Sequence, residues 1–221
     1  MQRRILWKTV AILISVAVMG VAAADDENAR WTANFALGYQ QWNAVGDLDT
    51  QPLGSFDDGG WNAVGSVNRR WREVGRGDLS FGMDLGFMSN DSNIRAPGDI
   101  GELAADVFFL TPSMTLSFGG RRSARLNLEV GAGLYWAEIK EFYNTGYGAA
   151  EGTEHFEQIA PGGYFGISAD LPLPVREKAW AMNIAARVHY ADFGKVEALG
   201  RDLGDLDGPI STLQVGLTYD W

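Results

Sequence analysis

The sequence predicts an all-β fold, an eight-stranded antiparallel up-and-down transmembrane β-barrel. Three observations lead to this prediction. Apolar and polar residues alternate with a period of two in eight separate runs, the connections between the runs alternate between long and short, and tryptophans stand near the ends of the runs. A period of two is the spacing of side chains on one face of a β-strand, so each run has one apolar and one polar face.

The first 24 residues predict a secretory signal peptide, and residues 25–221 are then the barrel domain. A cationic start at Arg3 and Arg4 is followed by an apolar stretch and by small residues at Ala22–Ala24. The apolar stretch is short for a transmembrane helix, which needs about 20 residues. We therefore expect cleavage after Ala24. Because the chain has no Cys, neither a disulfide nor a lipidated Cys is expected.

The charge balance argues against nucleic acid as a partner. The net charge is −10, and it becomes −13 without the first 24 residues, which contain three basic residues and no acidic one. A chain this acidic lacks the basic surface that binding to phosphate backbones requires.

The first four strands are predicted by alternating runs, of which the second is the least regular. Their apolar faces consist of Trp31, Ala33, Phe35, Leu37 and Tyr39 in residues 30–42; Trp61, Ala63, Gly65, Val67 and Trp71 in 61–72; Leu79, Phe81, Met83, Leu85 and Phe87 in 79–87; and Phe108, Leu110, Met114, Leu116 and Phe118 in 106–118. The short connection after the second strand predicts a hairpin, whereas the connections after the first and third are long and polar.

The last four strands continue the pattern. Their apolar faces consist of Leu126, Leu128, Val130, Ala132, Leu134 and Trp136 in residues 124–139; Ile159, Phe165, Ile167 and Leu171 in 156–171; Trp180, Met182, Ile184, Ala186, Val188 and Tyr190 in 179–193; and Leu213, Val215, Leu217, Tyr219 and Trp221 in 213–221. The sixth strand is the weakest, because Pro161 has no N–H for a central paired position. The predicted loops at residues 140–154 and 194–209 are long.

The connections and tryptophans favour a membrane barrel over a soluble sandwich. Membrane barrels of the bacterial outer membrane combine short periplasmic turns with long external loops and carry aromatic girdles at both interfaces. The predicted girdle residues are Trp31, Trp42, Trp61, Trp71, Trp136, Trp180 and Trp221. The charged residues of the strand centres lie opposite the apolar faces, which indicates an apolar exterior and a polar interior. A lipocalin-like barrel would have the reverse arrangement.

With these strands in order, the domain resembles the small eight-stranded outer-membrane barrels of Gram-negative bacteria, the group of OmpA, OmpX, OmpW and the opacity proteins. The terminal residues Gln214, Gly216, Tyr219 and Trp221 resemble the signal by which such proteins reach the barrel-assembly machinery. The resemblance implies a monomer in the outer membrane, surrounded by outer-membrane lipid and lipopolysaccharide. It departs from OmpA in having no domain after the barrel, so no peptidoglycan-binding module is expected.

The inward-facing polar residues predict a network that fills the lumen. They are Arg70, Asp84, Arg125, Asn127, Glu129, Arg187 and Gln214. Eight strands leave an interior that side chains alone can fill, and isolated charges there would be costly, so we expect paired charges. This predicts a largely plugged lumen with a role in the envelope or in surface interaction. The alternative is a narrow channel for small or hydrophobic solutes, as in the OmpW-like branch, and a lateral opening at Pro161–Gly163 would favour it.

An outer-membrane enzyme is the third and most distant hypothesis. It would need a histidine base, and the chain has two histidines, His155 and His189. If strands six and seven pair symmetrically about Val175, His189 lies opposite Pro161 and far from His155. No catalytic residue, cofactor or metal site is predicted. The acidic residues Asp205 and Asp207 lack the Glu of a calcium loop, which favours a solvated surface over the alternative, weak binding of divalent cations beside lipopolysaccharide phosphates.

Overall fold

The computed structural model describes residues 30–42, 59–96, 99–119, 123–145, 149–174, 179–198, 201–205 and 208–221. The predicted signal peptide, most of the first predicted loop and Asp207 lie outside these ranges. Within the described residues there is no helix long and apolar enough to cross a membrane.

Ten strands make up the described chain. They are β1 (Trp31–Trp42), β2 (Gly60–Val74), β3 (Gly77–Ala96), β4 (Asp99–Phe118), β5 (Arg125–Thr145), β6 (Ala149–Pro172), β7 (Ala179–Ala191), β8 (Lys195–Ala198), β9 (Arg201–Asp205) and β10 (Pro209–Asp220). Eight of them close into an antiparallel barrel in the order β1-β10-β7-β6-β5-β4-β3-β2, and β8 and β9 form a separate pair. The predicted fold class is therefore confirmed.

The two ends of the barrel differ, and we name them by their connections. The turn end contains Trp31, Trp221 and the short turn between β2 and β3, and the loop end is the opposite one. The strands extend further toward the loop end than the sequence predicted. β3 and β4 stay paired out to Ala96 and Asp99, through most of a predicted loop, and β5 and β6 do the same. Backbone pairing continues there although the residues no longer alternate, so periodicity could not detect it.

The outer face of the barrel is apolar over a broad band. On β1 and β10, cross-strand neighbours such as Phe35 and Leu217, or Leu37 and Val215, face outward together, and each of these four side chains is 46% to 55% exposed. A sheet surrounded by water would cover such a surface, whereas a bilayer solvates it. A closed barrel of even strand number with an apolar outer band is the architecture of bacterial outer-membrane proteins.

Two rows of aromatic side chains border this band. Trp61 and Trp71 lie on the outer face of β2, 43% and 60% exposed. Ten residues of strand at about 3.3 Å each, tilted by about 40°, separate them by about 25 Å across the membrane, the height expected of the apolar band. The row at the loop end comprises Trp61, Phe87, Phe108 and Trp136, with successive ring centroids 5.0, 4.7 and 6.2 Å apart.

The row at the turn end includes three consecutive rings. Trp180, Tyr219 and Trp221 have successive centroids 4.7 and 5.5 Å apart, and Trp31 lies on the neighbouring strand β1. These positions are those that the girdle prediction requires. Contact of the rows with lipid headgroups stays a prediction.

Trp42 does not belong to either row, and its assignment to a girdle was wrong. It is 3% exposed and points into the lumen, where its ring lies 6.0 Å from that of Phe193. Trp31 and Trp42 are an odd number of residues apart on β1, so they face opposite sides of the sheet. The position of Trp42 near the end of β1 suggested that it belongs to a girdle, but its parity on the strand directs its side chain into the barrel.

Candidate functional site in the barrel lumen

The lumen is the candidate functional site, and its two halves have different chemistry. In the half toward the turn end, inward positions carry hydroxyl, amide, carboxylate and guanidinium groups. In the half toward the loop end they carry mostly aromatic and aliphatic side chains. The alternation of the strands positions both sets, because every second residue must face inward.

Arg125 is the centre of the first ionic group, in the half toward the turn end. Its Nη1 lies 2.8 Å from Asp220 Oδ2 and its Nη2 lies 3.0 Å from Asp170 Oδ2. Asp220 also accepts a hydrogen bond of 2.6 Å from the hydroxyl of Thr32. One guanidinium therefore joins carboxylates from β6 and β10 to β5, across the barrel interior.

Arg187 is the centre of the second group. Its Nη2 and Nε lie 2.7 and 2.8 Å from Glu129 Oε2, and its Cζ lies 5.1 Å from the ring centroid of Tyr164. The hydroxyl of Tyr164 donates to Asp84, which also accepts a 3.2 Å bond from Ser113. Arg187, Glu129 and Asp84 are all at most 7% exposed. Such buried charges are tolerated because each has hydrogen-bond partners.

Hydrogen bonds of neutral side chains connect the two ionic groups. Asn127 Nδ2 donates to Asp170 at 2.9 Å and to Ser168 at 3.0 Å, and Ser168 donates to Glu129 at 2.6 Å. We call the connected set the turn-end network; it consists of Asp84, Arg125, Asn127, Glu129, Tyr164, Ser168, Asp170, Arg187 and Asp220. A polar cavity of about 80 Å³ runs along it.

Two predicted network residues lie apart from this set. Arg70 is at the rim of the turn end, where its Nη2 is 2.6 Å from both Glu73 Oε1 and Asp78 Oδ1. Gln214 lies deeper in the barrel, and its Nε2 donates to Asn62 Oδ1 at 2.6 Å. The structure thus brings Asp84, Arg125, Asn127, Glu129 and Arg187 into one network and leaves Arg70 and Gln214 in separate contacts.

The other half of the lumen is filled by buried apolar side chains, which we call the loop-end cluster. It consists of Trp42, Val64, Met88, Ala105, Val107, Phe109, Tyr135, Ala137, Ala160, Ala191, Phe193 and Ile210, each at most 3% exposed. These residues come from all eight barrel strands and from the segment after β7. The cluster therefore fills the cross-section of the barrel.

Aromatic rings form the middle of the lumen, where the two halves meet. The rings of Phe109 and Tyr135 stack with centroids 5.4 Å apart, and His189 lies 4.9 Å from Phe109 and 5.2 Å from Tyr164. The Tyr135 hydroxyl and His189 Nδ1 are 3.0 Å apart, within hydrogen-bond distance.

Inward glycines make room for these rings. A Cβ on Gly86 would come within 2.1 Å of the Phe109 ring, and one on Gly131 within 2.3 Å of the Tyr164 ring. Real Cβ atoms do not approach other atoms this closely. Glycine is therefore required opposite each ring in a lumen this narrow.

The pairing of β6 with its neighbours corrects two predictions. β6 is continuous through Pro161, which pairs with Leu134 of β5, and pairing with β7 starts at Gly162. Pro161 thus stands at the end of the β6–β7 ladder, where its missing N–H is tolerated, and the strand is not interrupted. His189 lies opposite Tyr164 and not opposite Pro161, because the two strands pair Pro172 with Ala181, and this register is centred C-terminal to Val175.

The loop-end cluster and part of the network were not predicted from the sequence. Phe109 and Tyr135 have the inward parity, but each stands between outward apolar residues and was hidden within a continuous apolar run. Asp170 and Asp220 also have the inward parity and lie beside outward Leu171 and Trp221. A strict parity test would have found all four. The described residues include no group of three or more His, Cys, Asp or Glu placed to hold a metal ion.

Comparisons with known proteins find a similar architecture and no sequence family. No family model matches the chain, and no curated protein matches it. Among solved structures, neisserial surface protein A is 15% identical, with 86% of this chain and 96% of that chain covered and a TM-score of 0.42. Ail, the attachment invasion locus protein of Yersinia pestis, is 11% identical, with 87% and 97% covered and a TM-score of 0.41.

A third match is an enzyme. The outer-membrane protease OmpT from Escherichia coli is 6% identical, with 89% of this chain and 98% of that chain covered and a TM-score of 0.49. The three matches are named as a surface protein, an attachment invasion locus protein and a protease, and they assign no activity to this chain. The chain itself is a closed eight-stranded barrel with the architecture of the small outer-membrane β-barrels that its sequence resembles.

Proposed function

We propose that this protein is a closed, non-enzymatic barrel of the Gram-negative outer membrane, with a role in envelope structure or surface interaction. The observation that carries the proposal is the loop-end cluster, whose twelve side chains are at most 3% exposed and fill the half of the lumen toward the loop end. The turn-end network stabilises the same interior from the other side. The external loops are then the part of the protein that meets the surroundings of the cell.

The cavity supports a closed lumen rather than a continuous pore. Its lining includes Arg125, Glu129, Arg187 and Tyr164 but no residue of the loop-end cluster. A solute that entered from the turn end would therefore meet Phe109 and the rings around it. Passage would require several buried rings to move together, against the close packing of a protein interior.

A narrow channel is the second candidate, and the polar cavity is the observation that favours it. The charged cavity in the turn-end half of the lumen could be one part of a pore. The other part would then form when a signal opens the loop-end half. In that case the loop-end cluster would be a gate. The continuous pairing of β6 with β5 through Pro161 does not supply the lateral opening that this candidate had suggested.

An enzymatic role has little support in the surroundings of His189. This residue is 0% exposed, and its described neighbours are the rings of Phe109, Tyr135 and Tyr164. A general base must reach the proton that it abstracts from a substrate or from water. The three rings cover His189, so neither a substrate nor water can reach it from the sides that they cover.

We also propose partners from the architecture. Outer-membrane lipid and lipopolysaccharide surround the barrel, the barrel-assembly machinery recognises the terminal strand through Gln214, Gly216, Tyr219 and Trp221, and the barrel acts as a monomer. Tyr219 and Trp221 are on the outer face of β10, where a recognition protein could contact them. Gln214 is fully buried in the closed barrel, so it would be accessible to such a protein only before closure.

Conductance measurements in planar bilayers test the closed lumen. We expect the wild-type protein to give no conductance steps across the accessible voltage range. The double variant Phe109→Ala/Tyr135→Ala removes two paired inward rings and is expected to conduct. The matched control is Phe108→Ala/Trp136→Ala, which removes the adjacent outward pair on the same two strands and should stay silent.

The outcomes separate the candidates. Conductance by the wild type, together with solute uptake into liposomes, would contradict the closed barrel and support the channel. Silence of the inward double variant would show that the loop-end cluster is not the barrier. Heat-modifiable migration in gels confirms for each variant that the barrel has formed.

A further inference from the structure

The outer wall of the hairpin formed by β2 and β3 has an irregularity that changes its chemistry. Arg70 pairs with Ser80 but Arg72 pairs with Leu79, so Trp71 is an additional residue in β2, a β-bulge. By simple alternation Arg72 would face inward like Arg70. Because of the bulge it lies opposite Leu79 and faces outward with Trp71.

Two arginines stack on tryptophan rings at this site. Arg72 Cζ lies 4.4 Å from the Trp71 ring centroid, and Arg69 Cζ lies 5.6 Å from the Trp31 ring centroid. The two contacts are neighbours on the outer wall. Arg69, Trp71 and Arg72 are on β2, and Trp31 is on the adjacent strand β1, where it pairs with Arg69. A guanidinium held over a ring by a cation–π contact still has N–H groups that can donate to a planar pair of acceptor oxygens.

Two carboxylates beside the turn of this hairpin contact the inward Arg70. Arg70 contacts Glu73 and Asp78, each at 2.6 Å, from the inward side of the same strand. On the outward side, Arg69 and Arg72 are both exposed, on a chain whose net charge is strongly negative. Toward the membrane centre the same face continues as Phe81 and Met83, 45% and 42% exposed.

We propose that this face binds an anionic phospholipid of the periplasmic leaflet through its phosphodiester group. Arg69 and Arg72 donate to the phosphate oxygens, Trp31 and Trp71 lie at the headgroup level, and an acyl chain packs along Phe81 and Met83. Arginine is the preferred side chain for planar recognition of phosphate, and basic residues near a membrane surface attract anionic lipids. This inference rests on the proposed membrane orientation, with the turn end in the periplasm.

Native mass spectrometry of the full barrel in detergent tests the site. The probe is an equimolar mixture of phosphatidylglycerol and phosphatidylethanolamine with identical acyl chains, and the readout is the ratio of the two bound lipids. We expect the wild type to prefer phosphatidylglycerol. We expect the preference to fall about fivefold for each arginine removed in Arg69→Gln/Arg72→Gln.

The matched control is Lys140→Gln, which removes a cation near the loop end, where Lys140 Nζ lies 3.0 Å from Glu138. It should retain the preference. A wild-type preference in the double arginine variant, or an equal loss in the control, would overturn the proposal.

Two further measurements keep the test decisive. For the wild type alone, the preference should decrease as ionic strength rises, since exposed charges are screened; a salt-independent preference would contradict the proposal. Heat-modifiable migration reports whether each variant has folded. The conductance test examines the lumen, whereas the lipid-binding test examines the outer wall. Failure of one proposal is therefore distinguishable from failure of the other.

Discussion

The two halves of the lumen achieve closure by different means. The turn-end network fills its half with charges that are paired and hydrogen-bonded, and it leaves a polar cavity of about 80 Å³. The loop-end cluster fills its half with rings and aliphatic side chains that are almost fully buried. A network held by directional bonds leaves gaps where geometry does not permit contact, whereas apolar side chains pack to the density of a protein core. The comparison indicates that the network fixes the geometry of the strands and the cluster blocks passage.

The largest effect is expected from breaking the network at Arg187. Arg187→Met leaves Glu129 buried without its cation, and we expect a loss of about 4 kcal/mol in the free energy of unfolding. Urea unfolding in lipid vesicles, followed by tryptophan fluorescence, measures it. The control Arg187→Met/Glu129→Leu removes both charges and should recover most of the loss. A loss below about 1 kcal/mol in the single variant would show that Glu129 finds another partner.

A smaller effect is expected from crowding the rings, and here the halves should differ. Gly86→Ala pushes on Phe109, which is enclosed by the loop-end cluster, and should cost about 2 to 3 kcal/mol. Gly131→Ala pushes on Tyr164, which borders the cavity and can shift into it, and should cost about 1 kcal/mol. The same unfolding assay compares the two. Equal losses in the free energy of unfolding for the two variants would mean that the cavity does not allow Tyr164 to shift.

Losses of at most about 2 kcal/mol are expected from removing single hydroxyls. Tyr164→Phe takes a donor from a carboxylate, Asp84, and should cost about 2 kcal/mol, since hydrogen bonds to charged groups are the stronger ones. Tyr135→Phe takes away only the contact with His189 and should cost about 1 kcal/mol. If the order were reversed in the unfolding assay, Asp84 would not depend on Tyr164 for its stability in the lumen.

The alternation of apolar and polar residues predicted the architecture because a barrel in a bilayer requires an apolar outer face. An outward residue must be apolar over the whole membrane band, and this constraint leaves a period of two that is visible in every barrel strand. For the same reason the inward location of Asp84, Glu129 and Arg187 could be read from parity alone.

The partners within the lumen could not be predicted in the same way. Arg125 and Glu129 share a face of β5, yet each pairs with residues of other strands, and these pairs depend on the register and curvature of the closed barrel. The bulge at Trp71 is a second case, because a single additional residue reverses the parity of everything after it. Phe109 is a third, since an apolar inward residue is indistinguishable from its outward neighbours by hydropathy.

The seam between β1 and β10 determines when the barrel can become stable. Trp31 and Trp221 exchange two backbone hydrogen bonds of 3.0 Å, so the contact that completes the ring joins residues far apart in sequence. Such contacts form slowly, since the entropy of a very long loop must be lost before they provide stabilisation. Until β10 pairs with it, β1 has an unpaired edge on which other chains could aggregate. We therefore expect protection of that edge before β10 pairs with it, rather than the strength of any single contact, to limit the yield of folded protein.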